Sequence, residues 1–290
     1  MSEPDELYTL RAQYWLGHYQ LALDEAKSVM RRPMSPALKA EREEFSLRCQ
    51  LALGQYDKVI SASPDSPGIK ALQLKAQYES AAAEAKPAIV QQMQTMLGDG
   101  VSPSVQLTAA HVFLMEGMKK EALQCVHQGA LMEHVSVSIQ IYLQLDRIDL
   151  AQQQLALLKR ADEEAVLTQL AGVQIALATG SSMAKDAIHT LNQLSEQYGP
   201  SVFLLNLMAC ACLQAGNFSL AEERLMQARQ EFAASDADTL ANLIVAYQYQ
   251  SKPTAPLVAE LKSSYPGHFL ASGLATVEGA FERESIKYKA

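Results

Sequence analysis

Between residues 201 and 232 the apolar positions fall on two helical faces separated by a glycine turn. Leu205, Met208, Ala209 and Cys212 are spaced i, i+3, i+4, i+7, and Ala221, Leu225, Ala228 and Phe232 are spaced i, i+4, i+7, i+11. Each set lies along one side of a helix with about 3.6 residues per turn. Gly216 stands between them, where a left-handed residue ends a helix at little cost. Ala209 and Ala221 sit where the two helices would cross, and small side chains there let the axes come close. The stretch therefore reads as a helical hairpin that packs on itself.

The same pattern runs along the chain. Helical faces pair at 6–16 with 20–30, 37–53 with 56–61, 69–85 with 87–97, 105–116 with 119–128, 136–145 with 147–159, 163–178 with 183–197, and 239–250 with 255–263. The fourth segment is short because Ser61–Gly68 is turn chemistry throughout. Ala81–Ala85 reads as a strong helix former on a close-contact face. Pro87 suits a first helical turn. Gly98-Asp99-Gly100 reads as a turn, because no Gly-Lys-Ser/Thr and no acidic ladder follows it. Lys252-Pro253 takes the turn of the last pair. Phe269, Leu270, Leu274, Val277 and Phe281 then mark a terminal helix. No alternating strand pattern is long enough to assign.

The turns share a motif. Gly216-x-Phe218-x-x-Ala221 is echoed by Gly17-x-Tyr19-x-x-Ala22, Gly54-x-Tyr56-x-x-Val59 and Gly117-x-Lys119-x-x-Ala122. Asp146-x-Ile148-x-x-Ala151 is a weaker form, and Ala187 holds the alanine place in a longer turn. The spacing stays near a period of about 34 residues or allows one degenerate repeat between, and the motif resembles that of the tetratricopeptide repeat. The expected fold class is all-α, a right-handed α-solenoid of tetratricopeptide-like hairpins forming a single domain over 1–290. About eight repeats are expected, near 5–31, 37–62, 69–98, 104–130, 133–160, 163–198, 201–233 and 236–264, with a capping helix at 268–287 over the exposed end.

With 290 residues, 49% hydrophobic and 19% charged, the chain has ample core-forming side chains. A net charge of −8 disfavours a dedicated nucleic-acid or anionic-membrane binder. The acidic N-terminus lacks the regions of a signal peptide. The apolar stretch 202–213 is interrupted by Asn206 and too short to span a bilayer. Cys49, Cys125, Cys210 and Cys212 form no Cys-x-x-Cys pair and lie in apolar helical patterns, which suits buried reduced thiols in the cytosol. The ending Lys287-Tyr288-Lys289-Ala290 has the wrong spacing for a lysine-based retrieval signal.

Catalytic chemistry finds little support. Cys125, His127 and His134 are the nearest approach to a metal set, but no paired ligand motif joins them and a helical register scatters them. Glu163-Glu164, Glu222-Glu223 and the acids between Glu41 and Glu44 fit solvated faces better than a general acid/base pair. No nucleophile elbow, P-loop or dinucleotide fingerprint occurs. The expectation is a non-enzyme with no cofactor and no metal.

Surface remains. In the repeat register the concave positions are Leu107, His111 and Leu114 in the fourth repeat, Ser136, Gln140 and Leu143 in the fifth, and Asn206, Cys210 and Leu213 in the seventh. That mixture of apolar and uncharged polar groups suits a groove for a helix or extended peptide, though each residue alone could equally pack against a neighbouring repeat. Trp15, the single tryptophan, reads first as a packing anchor and second as a partner-facing aromatic at the mouth of a groove.

Particular strings resemble the coatomer epsilon subunit family. They are Asp5-Glu6-Leu7, His127-Gln128-Gly129, the run from Ile139 to Ala151 (IQIYLQLDRIDLA), Ala165–Ala171 (AVLTQLA) with Leu177–Gly180 (LATG), Leu204-Leu205-Asn206, Ala209-Cys210, Thr239–Leu243 (TLANL) and Lys252-Pro253. The resemblance implies a structural subunit of the coatomer (COPI) vesicle coat. It further implies a superhelix that wraps part of the C-terminal region of the alpha subunit, and a role in Golgi-to-endoplasmic-reticulum and intra-Golgi transport. Localisation would be cytoplasmic, peripheral on Golgi and vesicle membranes and touching them only through the coat. The alternative is a free tetratricopeptide adaptor that grips client peptides. A carboxylate clamp of that kind resembles a Lys, Asn and Arg set on successive first helices, whereas Leu7 and Arg11 hold the corresponding first-repeat positions here.

Overall fold

A computed structural model describes residues 5–98, 101–232 and 236–288. Among them every regular element is helical, and they fall into two compact units that divide between Ala178 and Thr179. The first unit holds α1 (Tyr8–Trp15), α2 (Tyr19–Ser28), a 3-10 turn (Val29–Arg31), α3 (Pro36–Ala52), α4 (Tyr56–Ile60), α5 (Pro67–Ser80) and α6 (Lys86–Thr95). It continues with α7 (Pro103–Met115), α8 (Lys119–Val126), α9 (Met132–Gln144), α10 (Ile148–Ala161) and α11 (Val166–Thr179). The second holds α12 (Ala184–Tyr198), α13 (Val202–Gln214), α14 (Phe218–Glu231), α15 (Ala237–Tyr249), α16 (Ala255–Ser264) and α17 (Phe269–Ile286).

One cap recurs at the end of the first helices. Gly17, Gly54, Gly117 and Gly216 adopt φ of 71–79°, and Asp146 and Ser251 take the same left-handed place at 58° and 56°. The next residue's N–H then reaches back to a carbonyl five positions earlier: His18 to Gln13, Gln55 to Gln50, Met118 to Phe113, Arg147 to Tyr142, Asn217 to Cys212 and Lys252 to Tyr247, all at 2.8–2.9 Å. This closure satisfies carbonyls that a helix end leaves open and turns the chain back on itself. In the last pair the left-handed residue is Ser251, just before the Lys252-Pro253 that the sequence suggested.

The motif's alanine place is the crossing point. Ala22, Val59, Ala122, Ala151, Ala187 and Ala221 are each no more than 1% exposed. Consecutive hairpins share apolar clusters. In the first unit Leu10, Ala22 and Phe45 join α1–α3, Leu51, Val59 and Leu72 join α3–α5, and Val105, Phe113, Val126 and Ile141 join α7–α9. In the second unit Ala209, Ala221, Leu225 and Leu243 join α13–α15. Each large apolar side chain so buried contributes roughly 1.5–3 kcal/mol.

One expectation needs correcting. Ala81–Ala85 is not helical: α5 ends at Ser80, Ala81 is extended at ψ 149°, and a turn follows. Pro87 in the first turn of α6 lacks the N–H that a helix running through 85 would need, so the reversal falls upstream of it. The terminal helix α17 meets α15 and α16 through Leu270 and the buried Ala271, and further along through Glu278, which accepts from Lys262 of α16 at 2.7 Å. Phe269, Val277 and Phe281 are 76%, 66% and 73% exposed. The Gly98 turn continues into 99–100, and the retrieval-like ending includes 289–290, all outside the described residues.

Candidate peptide groove

In the first unit a cavity of about 730 Å³ runs along the starts of the first helices. Ala37, Glu41, Glu44, Phe45 and Arg48 reach it from α3, because spacings of four, three and one, then three, residues keep one helical face turned inward. Tyr8, Arg11 and Trp15 reach it from α1, and Pro67, Pro103, Met132 and Ala165 close it from the helix starts beyond. The Ser-Pro pairs at 35–36, 66–67 and 102–103 set the starts of α3, α5 and α7, since proline is tolerated where no intrahelical N–H bond is made.

A buried ion pair forms part of the wall. Arg48 Nη1 donates to both oxygens of Glu133, at 3.1 and 3.0 Å, and Trp15 Nε1 donates to Glu133 Oε1 at 3.1 Å. The guanidinium also lies 4.8 Å from the Phe45 ring centre. Arg48 is 8% exposed and Glu133 16%, so the pair ties α3 to α9 out of bulk water. Burial works against the Arg48 charge, but Glu133, Tyr14 and Glu44 outweigh it and hold its pKa above the ordinary value. Nearby, Glu44 accepts from Ser66 Oγ at 3.3 Å and from Ser104 Oγ at 2.5 Å. Gly68 makes room for it, since a Cβ there would collide with the Glu44 carboxylate. At the rim Arg11 bonds both Asp5 and Glu41.

Arg48 also lines a second cavity of about 280 Å³, with Tyr14, Tyr19, Tyr56, Lys75, Glu79, Leu107 and His111. Burial lowers the Lys75 pKa and raises that of Glu79, 3.7 Å away, so both are pushed toward neutrality. His111 is held well below its ordinary value, first by burial and then by Lys75, Arg48 and His134.

The nine concave positions expected from the register are dispersed. Leu107 and His111 meet in the smaller cavity, though Leu107 is 2% exposed and belongs to the core. Ser136 is 6% exposed, closed off by the packing of α9. Leu114 and Leu143 pack against the clusters of their own hairpins, and Gln140 is half-buried on α9. In the second unit Asn206 donates to Thr239 Oγ1 at 2.7 Å and accepts from Asn242 at 2.9 Å. Cys210 Sγ approaches Asn242 at 3.8 Å, and Leu213 packs beside Cys212. None of the nine lines the larger cavity. Trp15 does. Arg48 announces itself only as a charge inside the apolar run FSLRCQLAL.

Cys125 and His134 are buried on α8 and α9, His127 is exposed, and His134 Nε2 donates to the Pro103 carbonyl at 2.8 Å. Among the described residues no three His, Cys, Asp or Glu side chains are placed to hold a metal, and no helix is long and apolar enough to cross a membrane.

The sequence profile described as "Coatomer epsilon subunit" matches residues 3–289. The chain belongs to the coatomer epsilon subunit family. Its relatives include coatomer subunit epsilon-2 of Arabidopsis thaliana, 33% identical over 97% of this chain and 96% of that protein. Coatomer subunit epsilon-1 of Oryza sativa is 32% identical over 98% of each, and coatomer subunit epsilon of Dictyostelium discoideum 31% over 98% and 99%. Among solved structures, a chain of the APC/C hetero-tetramer Cut9-Hcn1 superposes with a TM-score of 0.63 at 14% identity, covering 94% of this chain and 55% of that one. A tetratricopeptide repeat protein from Parabacteroides merdae gives 0.52 at 13% identity, covering 93% and 96%. These likenesses establish the fold: an α-solenoid of tetratricopeptide-like hairpins. Family membership makes the chain a subunit of the coatomer (COPI) coat.

Proposed function

We propose that the chain is a non-catalytic part of the coat that holds the C-terminal region of the coatomer alpha subunit, and through it the rest of the assembly. It acts in Golgi-to-endoplasmic-reticulum retrieval and intra-Golgi transport, from the cytoplasm, and meets the membrane only through the coat. The observation that carries this reading is the match to epsilon subunits over nearly the whole chain. The cavity of the first unit supports it: a mostly apolar trough rimmed by ion pairs is the kind of surface that takes an extended peptide segment.

Affinity purification of the tagged chain from cytosol tests the proposal. The expected result is a stoichiometric complex containing the alpha subunit, retained with its C-terminal region alone and lost when that region is deleted. A changing set of clients without the alpha subunit would overturn it.

A further inference from the structure

We infer that the cavity of the first unit selects a segment carrying a lysine or arginine between apolar side chains, with that cation seated against Glu44. The inference rests on the reading that this cavity receives part of the alpha subunit, and it adds the chemistry of what enters. Charge is the argument. Asp5, Glu41, Glu44, Glu133 and Asp162 line the cavity against two cations, Arg11 and Arg48, an excess of three carboxylates.

Both cations are already engaged. Arg11 bonds Asp5 and Glu41 at the rim, and Arg48 bonds Glu133 within the wall. Glu44 receives hydroxyls from Ser66 and Ser104, which orient the carboxylate without neutralising it. Asp162 accepts from the N–H groups of Glu164 and Ala165. Glu44 thus sits half-buried in a trough otherwise walled by Trp15, Phe45 and Pro103, with the exposed Asp162 at its edge, and a cation desolvated against Glu44 gains more than at an open surface. An acidic segment would meet repulsion there, and a purely apolar one would strip water from Glu44 without replacing it.

The test uses the full chain with two probes: the recombinant C-terminal region of the alpha subunit, and synthetic extended peptides with Leu-Lys-Leu or Leu-Glu-Leu at the centre. Glu44→Gln with Asp162→Asn removes both charges. The amide oxygens keep the acceptor for the Glu164 and Ala165 N–H groups and for one of the two serines, and the other serine hydroxyl can turn to accept from the amide N–H. The double substitution should weaken binding of the region and of the lysine peptide by about tenfold or more, and flatten the salt dependence, with an unchanged melting temperature. Glu163→Gln, at an exposed acid outside the cavity, should leave both intact. Binding of the region that ignores the double substitution overturns the inference while leaving the proposed function standing. If the region fails to bind the unaltered chain, the proposed function falls and the peptides decide: equal affinity for the two sequences overturns the inference, and preference for lysine upholds it. Self-association that competes with the lysine peptide would make the occupant a second copy of the chain and overturn it as well.

Discussion

The two units use the polar side chains of their first helices in opposite ways. In the second, Asn206 on α13 bonds Thr239 and Asn242 on α15, and Thr239 passes a hydrogen bond on to Asp236. Neighbouring first helices are stitched together, and little is left for a visitor. In the first, Arg48 reaches across 85 residues to Glu133 and lines two cavities. A repeat position therefore becomes surface or seam according to whether the adjacent first helix carries a complementary group within reach.

The largest effect should come from breaking the first unit's brace. Arg48→Ala leaves the Glu133 carboxylate largely buried with only the Trp15 N–H beside it, and loss of one member of a buried pair costs about 3–5 kcal/mol. Urea unfolding should show a lowered midpoint at unchanged slope. A loss below about 1 kcal/mol would mean that the pair behaves as an exposed one.

Next comes the stitching of the second unit. Asn206→Ala strands the Asn242 amide and one bond of Thr239, a loss of about 1–3 kcal/mol. Gln140 on α9, in the register place that Cys210 holds on α13, makes no side-chain hydrogen bond among the described residues. Gln140→Ala should therefore stay within about 0.5 kcal/mol of the starting chain. Equal losses at the two sites would erase the distinction.

Much of this was legible in the residues, for reasons that differ by level. The hairpins were visible because the left-handed turn residue and the small crossing residue each answer a local demand, at Gly17 with Ala22 or Gly216 with Ala221. The alanine run at 81–85 reads as helix by propensity alone, but a helix with Pro87 in its first turn needs the chain to reverse before it, and the run supplies that turn. The groove was harder. The register pointed to mid-helix positions such as Leu107 and Ser136, which packing closes off, while the larger cavity gathers the starts of helices far apart in sequence. Trp15 could be suspected and Arg48 noticed, but nothing local to Glu133 says that both converge on it.

A smaller contrast lies in pH. Burial keeps His111 and His134 neutral in the folded first unit, their pKa values lowered from an ordinary 6.5. Below that value the unfolded chain binds protons that the folded chain does not, so stability falls as the solution is acidified. Each histidine contributes up to about 1.4 kcal/mol per pH unit until its folded pKa is reached. Stability measured from pH 7 to 5 should therefore slope downward, and His111→Gln should flatten the slope. An unaltered slope would place His111 in contact with solvent.

The smallest effect separates equivalent turns. Asp146 in the first unit and Gly216 in the second close their hairpins with the same pair of backbone bonds, but at φ 58° the aspartate carries a Cβ that crowds the following carbonyl. Asp146→Gly removes that crowding and gives the unfolded chain more freedom, two effects of opposite sign. Aspartate tolerates the left-handed region better than most residues, so the net gain should be only about 0.5 kcal/mol. Gly216→Ala reverses the exchange. An added Cβ would meet nothing within 4 Å, so its cost of about 1 kcal/mol is purely backbone. If both substitutions were silent, the left-handed residue would not be what turns each hairpin, and the burden would pass to the crossing at Ala151 and Ala221.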